Sequence, residues 1–95
     1  MNSVQLIGRL ATDIDIKEVS GGSKVCSFLL AVDRNGEEAD FFRIKAWNSQ
    51  AEAAADNLAK GRRIGVEGAL RQEVYDKEGE ERKSLSIVAR RLEYL

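Results

Sequence analysis

The stretch D-F-F-R-I-K-A-W-N, Asp40–Asn48, decides how this chain is read. Taken as a β-strand, it sends alternate side chains to opposite faces. Phe42, Ile44 and Ala46 then form an ordinary core face, while Phe41, Arg43, Lys45 and Trp47 form the other. That second face runs aromatic, cation, cation, aromatic. A core rejects two unpaired cations between its aromatics, because an unpaired buried charge is costly. A surface that stacks bases and neutralises phosphates uses such an alternation. The pattern also fits a half-exposed strand whose end aromatics pack beneath loops. Trp47 is the only Trp, and two of the three Phe lie here, so the stretch concentrates the chain's stacking capacity.

The flanking sequence supplies strand partners. Upstream, Lys24–Asp33 alternates, with Cys26, Phe28, Leu30 and Val32 on one face. Cys26 is expected to be a small core hydrophobe there. Between the two strands, Arg34–Asp40 is a polar loop containing Asn35-Gly36, a hairpin signal, so the strands should pair antiparallel. Further upstream, Val4–Leu10 reads as a strand. Gly8 within it suggests a bulge or a close backbone approach. Ala11–Val19 continues or restarts that strand, and Ser20–Ser23 is a turn.

Downstream, Ser49–Lys60 turns helical. Ser49 and Glu52 have capping-box spacing, Ala51, Ala54, Ala55 and Leu58 form an apolar stripe, and Gly61 follows as the C-terminal glycine. Its exposed positions carry Glu52 and Asp56, so it is expected to plug a barrel end rather than read a groove. Ile64–Tyr75 is a strand interrupted by Gly65 and Gly68, Asp76–Gly79 is a turn, and Arg82–Arg91 is the last strand, with Leu85, Ile87 and Ala89 on one parity. Strand, strand, strand, helix, strand, strand is the order of an all-β, five-stranded Greek-key OB-fold with one α-helix between its third and fourth strands. One domain, 1–95, is expected.

Composition excludes several chemistries. There is no His and one Cys, which removes the usual zinc and His-based catalytic sites, so neither metal nor cofactor is expected. A single Cys cannot form an internal disulfide and fits a reducing compartment. No apolar run approaches a membrane span, and the first residues lack a signal-peptide pattern. Net charge is −1, so any attraction for nucleic acid must be local. Lys60, Arg62, Arg63 and Arg71 face only Glu67 in their segment, and Arg82, Lys83, Arg90 and Arg91 form another basic run. Acidic loops more than about 8–10 Å away are largely screened from such groups at physiological salt. Arg62, Arg63 and Arg71 are phosphate-contact candidates, weighed against a plain solvated charge run.

With these motifs in place, the chain resembles the bacterial single-stranded DNA-binding proteins over almost its whole length. Met1–Leu10 resembles the family's first strand, Phe28–Arg34 its second and Asp40–Trp47 its third. Lys60-Gly61 followed by Val66–Arg71 resembles the start of the fourth. The resemblance implies binding of single-stranded DNA without strong sequence preference, to protect it during replication, recombination and repair. It places stacking aromatics at Phe41, Trp47 and, in the hairpin between the last two strands, Tyr75. A further stacking position after the second strand is occupied here by Arg34. It also implies a homo-oligomer, tetramer or dimer, with first strands in dimer contacts, and a bacterial cytoplasmic, nucleoid-associated location.

Two departures matter. Family members that recruit replication and repair proteins end in a tail with an acidic tip, whereas this sequence stops at Leu95. The expectation is either a tail beyond Leu95 or a tailless relative. Glu73–Glu81 also holds five acids (Glu73, Asp76, Glu78, Glu80, Glu81) against Lys77, a poor partner for phosphates. The leading expectation is therefore a strand-holding protein that performs no chemistry. The alternative is a tailless primosomal-type interaction module with weak DNA binding. An enzyme, limited to carboxylates and one Cys, is the least supported reading.

Overall fold

Period-two patterning produces strands where it was expected, and a computed structural model describes all 95 residues, Met1–Leu95. The elements are β1 (Val4–Leu10), β2 (Asp15–Glu18), a single 3-10 turn (Ser20–Gly22), β3 (Lys24–Asp33), β4 (Ala39–Trp47), α1 (Asn48–Asn57), β5 (Arg63–Lys77) and β6 (Glu80–Tyr94). Sheet order is β1-β5-β6-β4-β3-β2, and an added β1–β3 pairing closes the ring. β1 meets β3 at Leu10↔Leu30, and β2 continues along the same edge from Asp15↔Ser27 to Glu18↔Lys24. β1 and β2 thus act as one bent strand, and the barrel is an OB-fold with its helix between the third and fourth of five such strands.

The core is filled by the inward parity of each strand. Leu10, Cys26, Phe28, Leu30, Ile44, Ala46, Ile64, Val66, Ile87 and Ala89 are buried together. α1 adds Ala51 and Ala54, with Leu58 just beyond it, and small Ala side chains let the helix lie close over the barrel end. Burial pushes the Cys26 thiol up from its ordinary value, consistent with an inert core side chain. Gly8 and Gly68 sit where backbones nearly touch: a Cβ on either would strike a carbonyl oxygen, of Ala31 and Val88 respectively. At Gly68 the register also slips, with Glu67 opposite Arg91 but Gly68 opposite Ala89. The bulge leaves Arg90 as the extra residue and lets both Ala89 and Leu92 turn inward.

Several local expectations need correction. The residue before α1 is Trp47, with no side-chain capping bond, so Ser49 and Glu52 form no capping box. Glu52 instead pairs with Lys24 at 3.0 Å. Asn48, at φ 53, accepts the Lys24 N–H through Oδ1 and fixes the β4–α1 corner. The helix ends at Asn57, three residues short of the expected end, because Leu58 leaves helical geometry to reach the core. Gly61 therefore serves a later turn rather than the helix C-terminus. The β3–β4 connection, by contrast, is the expected polar loop joining an antiparallel pair, and Arg34 N–H donating to Glu38 O closes it around Asn35-Gly36. Leu85 shares parity with Ile87 but is exposed, because it lies beyond the barrel.

That last difference reflects an arm. β5 and β6 stay paired down to Lys77↔Glu80, well past the point where the barrel ends. Glu78 and Gly79 at its tip both have positive φ, 54 and 81, as a type I′ hairpin requires. From Leu70 outward on β5, only Glu73 is even half-buried.

Candidate nucleic-acid interface

β4 presents the candidate surface because its two parities have opposite fates. Phe42, Ile44 and Ala46 turn inward, while Phe41, Arg43, Lys45 and Trp47 face outward. Phe41 is 60% exposed and Trp47 40%, so neither ring is covered by a loop. Both rings therefore face solvent rather than the core. They stand six residues apart, roughly 20 Å along the strand, with room for several nucleotides between.

β3 lies antiparallel beside them. Opposite Phe41, Arg43, Lys45 and Trp47 are Ala31, Leu29, Ser27 and Val25. These four are half-buried, uncharged and mostly small. They form a floor that sequence reading missed, although the unbroken run of uncharged residues on the outer parity of β3 was the available signal.

The arm forms the other wall. Arg71, Glu73 and Tyr75 share its β4-facing side. Tyr75 is 48% exposed. The contact that joins arm to strand is Lys45–Glu73, with the ammonium 2.7 Å from Oε1 and 2.8 Å from Oε2. Glu73 Oε1 also accepts a hydrogen bond from Ser86 Oγ at 2.9 Å. Arg43 and Arg71 have no ion-pair partner.

The remaining sequence-predicted residues lie apart from this group. Arg34 is engaged by Glu38 and Asp40 in the β3–β4 loop. Arg62 Nε donates to the Leu95 carbonyl at 3.3 Å, at the seam where the chain ends, and no contact joins it to the β4 stripe. The structure thus assembles Phe41, Arg43, Lys45, Trp47, Arg71 and Tyr75 and leaves Arg34 and Arg62 outside that assembly. Of the two cations between the β4 aromatics, only Arg43 keeps an uncompensated charge.

The Lys45 and Ser86 hydrogen bonds hold the Glu73 carboxyl below its ordinary value of 4.5. The unfolded chain therefore takes up this proton more readily than the folded one. Ionised Glu73 stabilises the fold above pH 4.5, and that contribution is lost as pH falls through the lower folded-state value. Denaturation curves of the protein and of Glu73→Gln should differ at neutral pH and converge in the acid range. Curves that stay equally separated throughout would contradict the assignment.

Aromatics and a free cation thus share the outward face of one strand of this barrel. A model described as the Single-strand binding protein family matches residues 1–95. The chain belongs to that family. Among its relatives, Single-stranded DNA-binding protein 3 of Clostridium acetobutylicum is 43% identical, covering 100% of this chain and 71% of its own length. Single-stranded DNA-binding protein of Treponema pallidum is 36% identical over 100% of this chain and 58% of its own. The Clostridium tetani protein of the same name is 39% identical over 100% and 70%. The chain thus spans between about three-fifths and seven-tenths of the length of these family relatives.

Proposed function

We propose that this protein binds single-stranded DNA with little sequence preference, as one OB domain that performs no chemistry on it. The observation that carries the reading is the pair of exposed rings, Phe41 and Trp47, at the two ends of β4 with Arg43 between them. The names of its family relatives, single-stranded DNA-binding proteins, support it. Bases stack on Phe41 and Trp47, and on Tyr75 where the strand passes the arm, because every base offers a π-face whatever its identity. Arg43 and Arg71 meet phosphates, with Arg34 and Arg62 as outlying contacts on the strand's path. Stacking carries a large share of the affinity, since few cations near the rings are free.

In a bacterial cell, such binding protects strands exposed in replication, recombination and repair. Cytoplasmic action fits this role, and no helix is long and apolar enough to cross a membrane. A homo-oligomer, tetramer or dimer, is part of the proposal. Ile7 supports it, because it is 55% exposed on the outer face of β1 beside Gly65, where a second chain can cover it.

Titration with oligothymidylate, read by Trp47 fluorescence at two salt concentrations, tests the proposal. Quenching is expected, with a shallow salt dependence reflecting few phosphate contacts. The absence of both quenching and salt-dependent binding would overturn it. The primosomal-type alternative draws on the acidic arm tip, where Asp76, Glu78, Glu80 and Glu81 are all exposed. Tight oligothymidylate binding decides against that reading.

A further inference from the structure

Glu73 is the one acid of the arm turned toward the barrel, and it is unusually well held. Both carboxylate oxygens lie within hydrogen-bonding distance of Lys45, and the buried Ser86 supplies a third bond. The Lys45 and Glu73 side chains are 25% and 34% exposed, whereas both side chains of every other ion pair exceed 40%. An exposed pair contributes little and is readily exchanged, but a shielded, multiply bonded one persists. Lys45 occupies the outer face of β4 between Arg43 and Trp47. A carboxylate oxygen and a phosphate oxygen make the same demand on an ammonium group, so only one of them has Lys45 at full strength.

We propose that Glu73 is a built-in competitor for the phosphate at Lys45, and that it sets the strength and salt dependence of strand binding. This rests on the single-stranded DNA reading above. While Glu73 holds Lys45, that cation neutralises no phosphate and releases no counterion. A phosphate that takes Lys45 must displace Glu73 and so break the ion pair between the arm and β4, although β6 stays paired with β4 at Ile44↔Ile87. By either route, Lys45 adds less to binding than its position beside Trp47 suggests. Glu73 acts through Lys45 and is a positioning residue, not a contact.

The test uses Glu73→Gln, Lys45→Gln and the double variant, titrated with oligothymidylate over a salt series. Glu73→Gln frees Lys45 and keeps a side chain able to bond Ser86. It should bind about three- to tenfold more tightly at low salt, with a salt slope steeper by roughly 0.7, the share of one phosphate contact on a single strand. Lys45→Gln leaves Glu73 unpaired on the strand-facing side. It should weaken binding by a similar factor and leave the slope nearly unchanged, since that cation was already neutralised. The double variant has the net charge of the unaltered protein and should return to within about twofold of its affinity.

A purely structural role for the pair predicts that all three variants weaken, and that result would overturn the proposal. If Glu73→Gln does not fold, Lys45→Gln still decides. A slope flattened by roughly 0.7 would mark Lys45 as an ordinary phosphate contact and defeat the proposal, while leaving strand binding intact. Absence of binding by the unaltered protein would defeat both.

Discussion

Trp47→Ala is expected to bind oligothymidylate roughly five- to 150-fold more weakly than the unaltered chain, with little loss of fold. The range follows from about 1–3 kcal/mol per stacked base and a tenfold change for each 1.4 kcal/mol. The fold should persist because Trp47 is 40% exposed, and its place ahead of α1 depends on backbone geometry without a side-chain capping bond. Trp47 is the only Trp, so the variant loses its own fluorescence signal. Anisotropy of a labelled oligonucleotide therefore has to replace it. Phe41→Ala should give a loss of the same kind. The two sites stand roughly 20 Å apart, so the double variant's loss should be near the sum of the singles. Unchanged affinity in Trp47→Ala would remove the stacking account.

The second large effect concerns stability. Phe28→Ala should destabilise the protein by about 3–5 kcal/mol, the usual cost of deleting a buried Phe. Phe28 is 2% exposed and lies in the core with Leu30 and Ile44. Rigid strands line the cavity that would remain, and strands held by ladder hydrogen bonds cannot collapse into it. Total stability for a domain is about 5–15 kcal/mol, so the substitution removes a large fraction. A thermal melt followed by circular dichroism should show a midpoint lower by more than about 10 °C. A shift of only a few degrees would mean that the core repacks.

Much of this architecture was legible in the sequence because a strand's face is a local property. Alternation alone placed Phe42, Ile44 and Ala46 inward and Phe41 and Trp47 outward. Gly8 was legible too, since a glycine inside a strand has few reasons to be there, and close approach to the Ala31 carbonyl is one. What escaped were the properties that depend on register between distant segments. Lys45 and Glu73 are 28 residues apart, and nothing local joins them. Glu73 read as one acid among five in a solvated hairpin, whereas the pairing of β4 with β6 brings it over β4. The inward turn of Leu92 depended on the bulge at Gly68, which breaks the parity that placed Ile87 and Ala89. The capping-box pattern failed for a related reason: Lys24, on a different strand, engages Glu52.

The pairing of β4 with β6 is parallel and joins Ile44 to Ile87. Every other ladder in the barrel is antiparallel. A chain emerging from the ribosome can fold β3 against β4 early, but β4 keeps one free edge until Ile87 has been synthesised. During that interval the strand that carries Phe41 and Trp47 belongs to an open sheet with unpaired backbone groups, the kind of edge on which nascent chains associate wrongly. The order of synthesis therefore makes β6 the guard of β4: a newborn chain becomes safe from its neighbours at the same moment as it gains a finished binding surface.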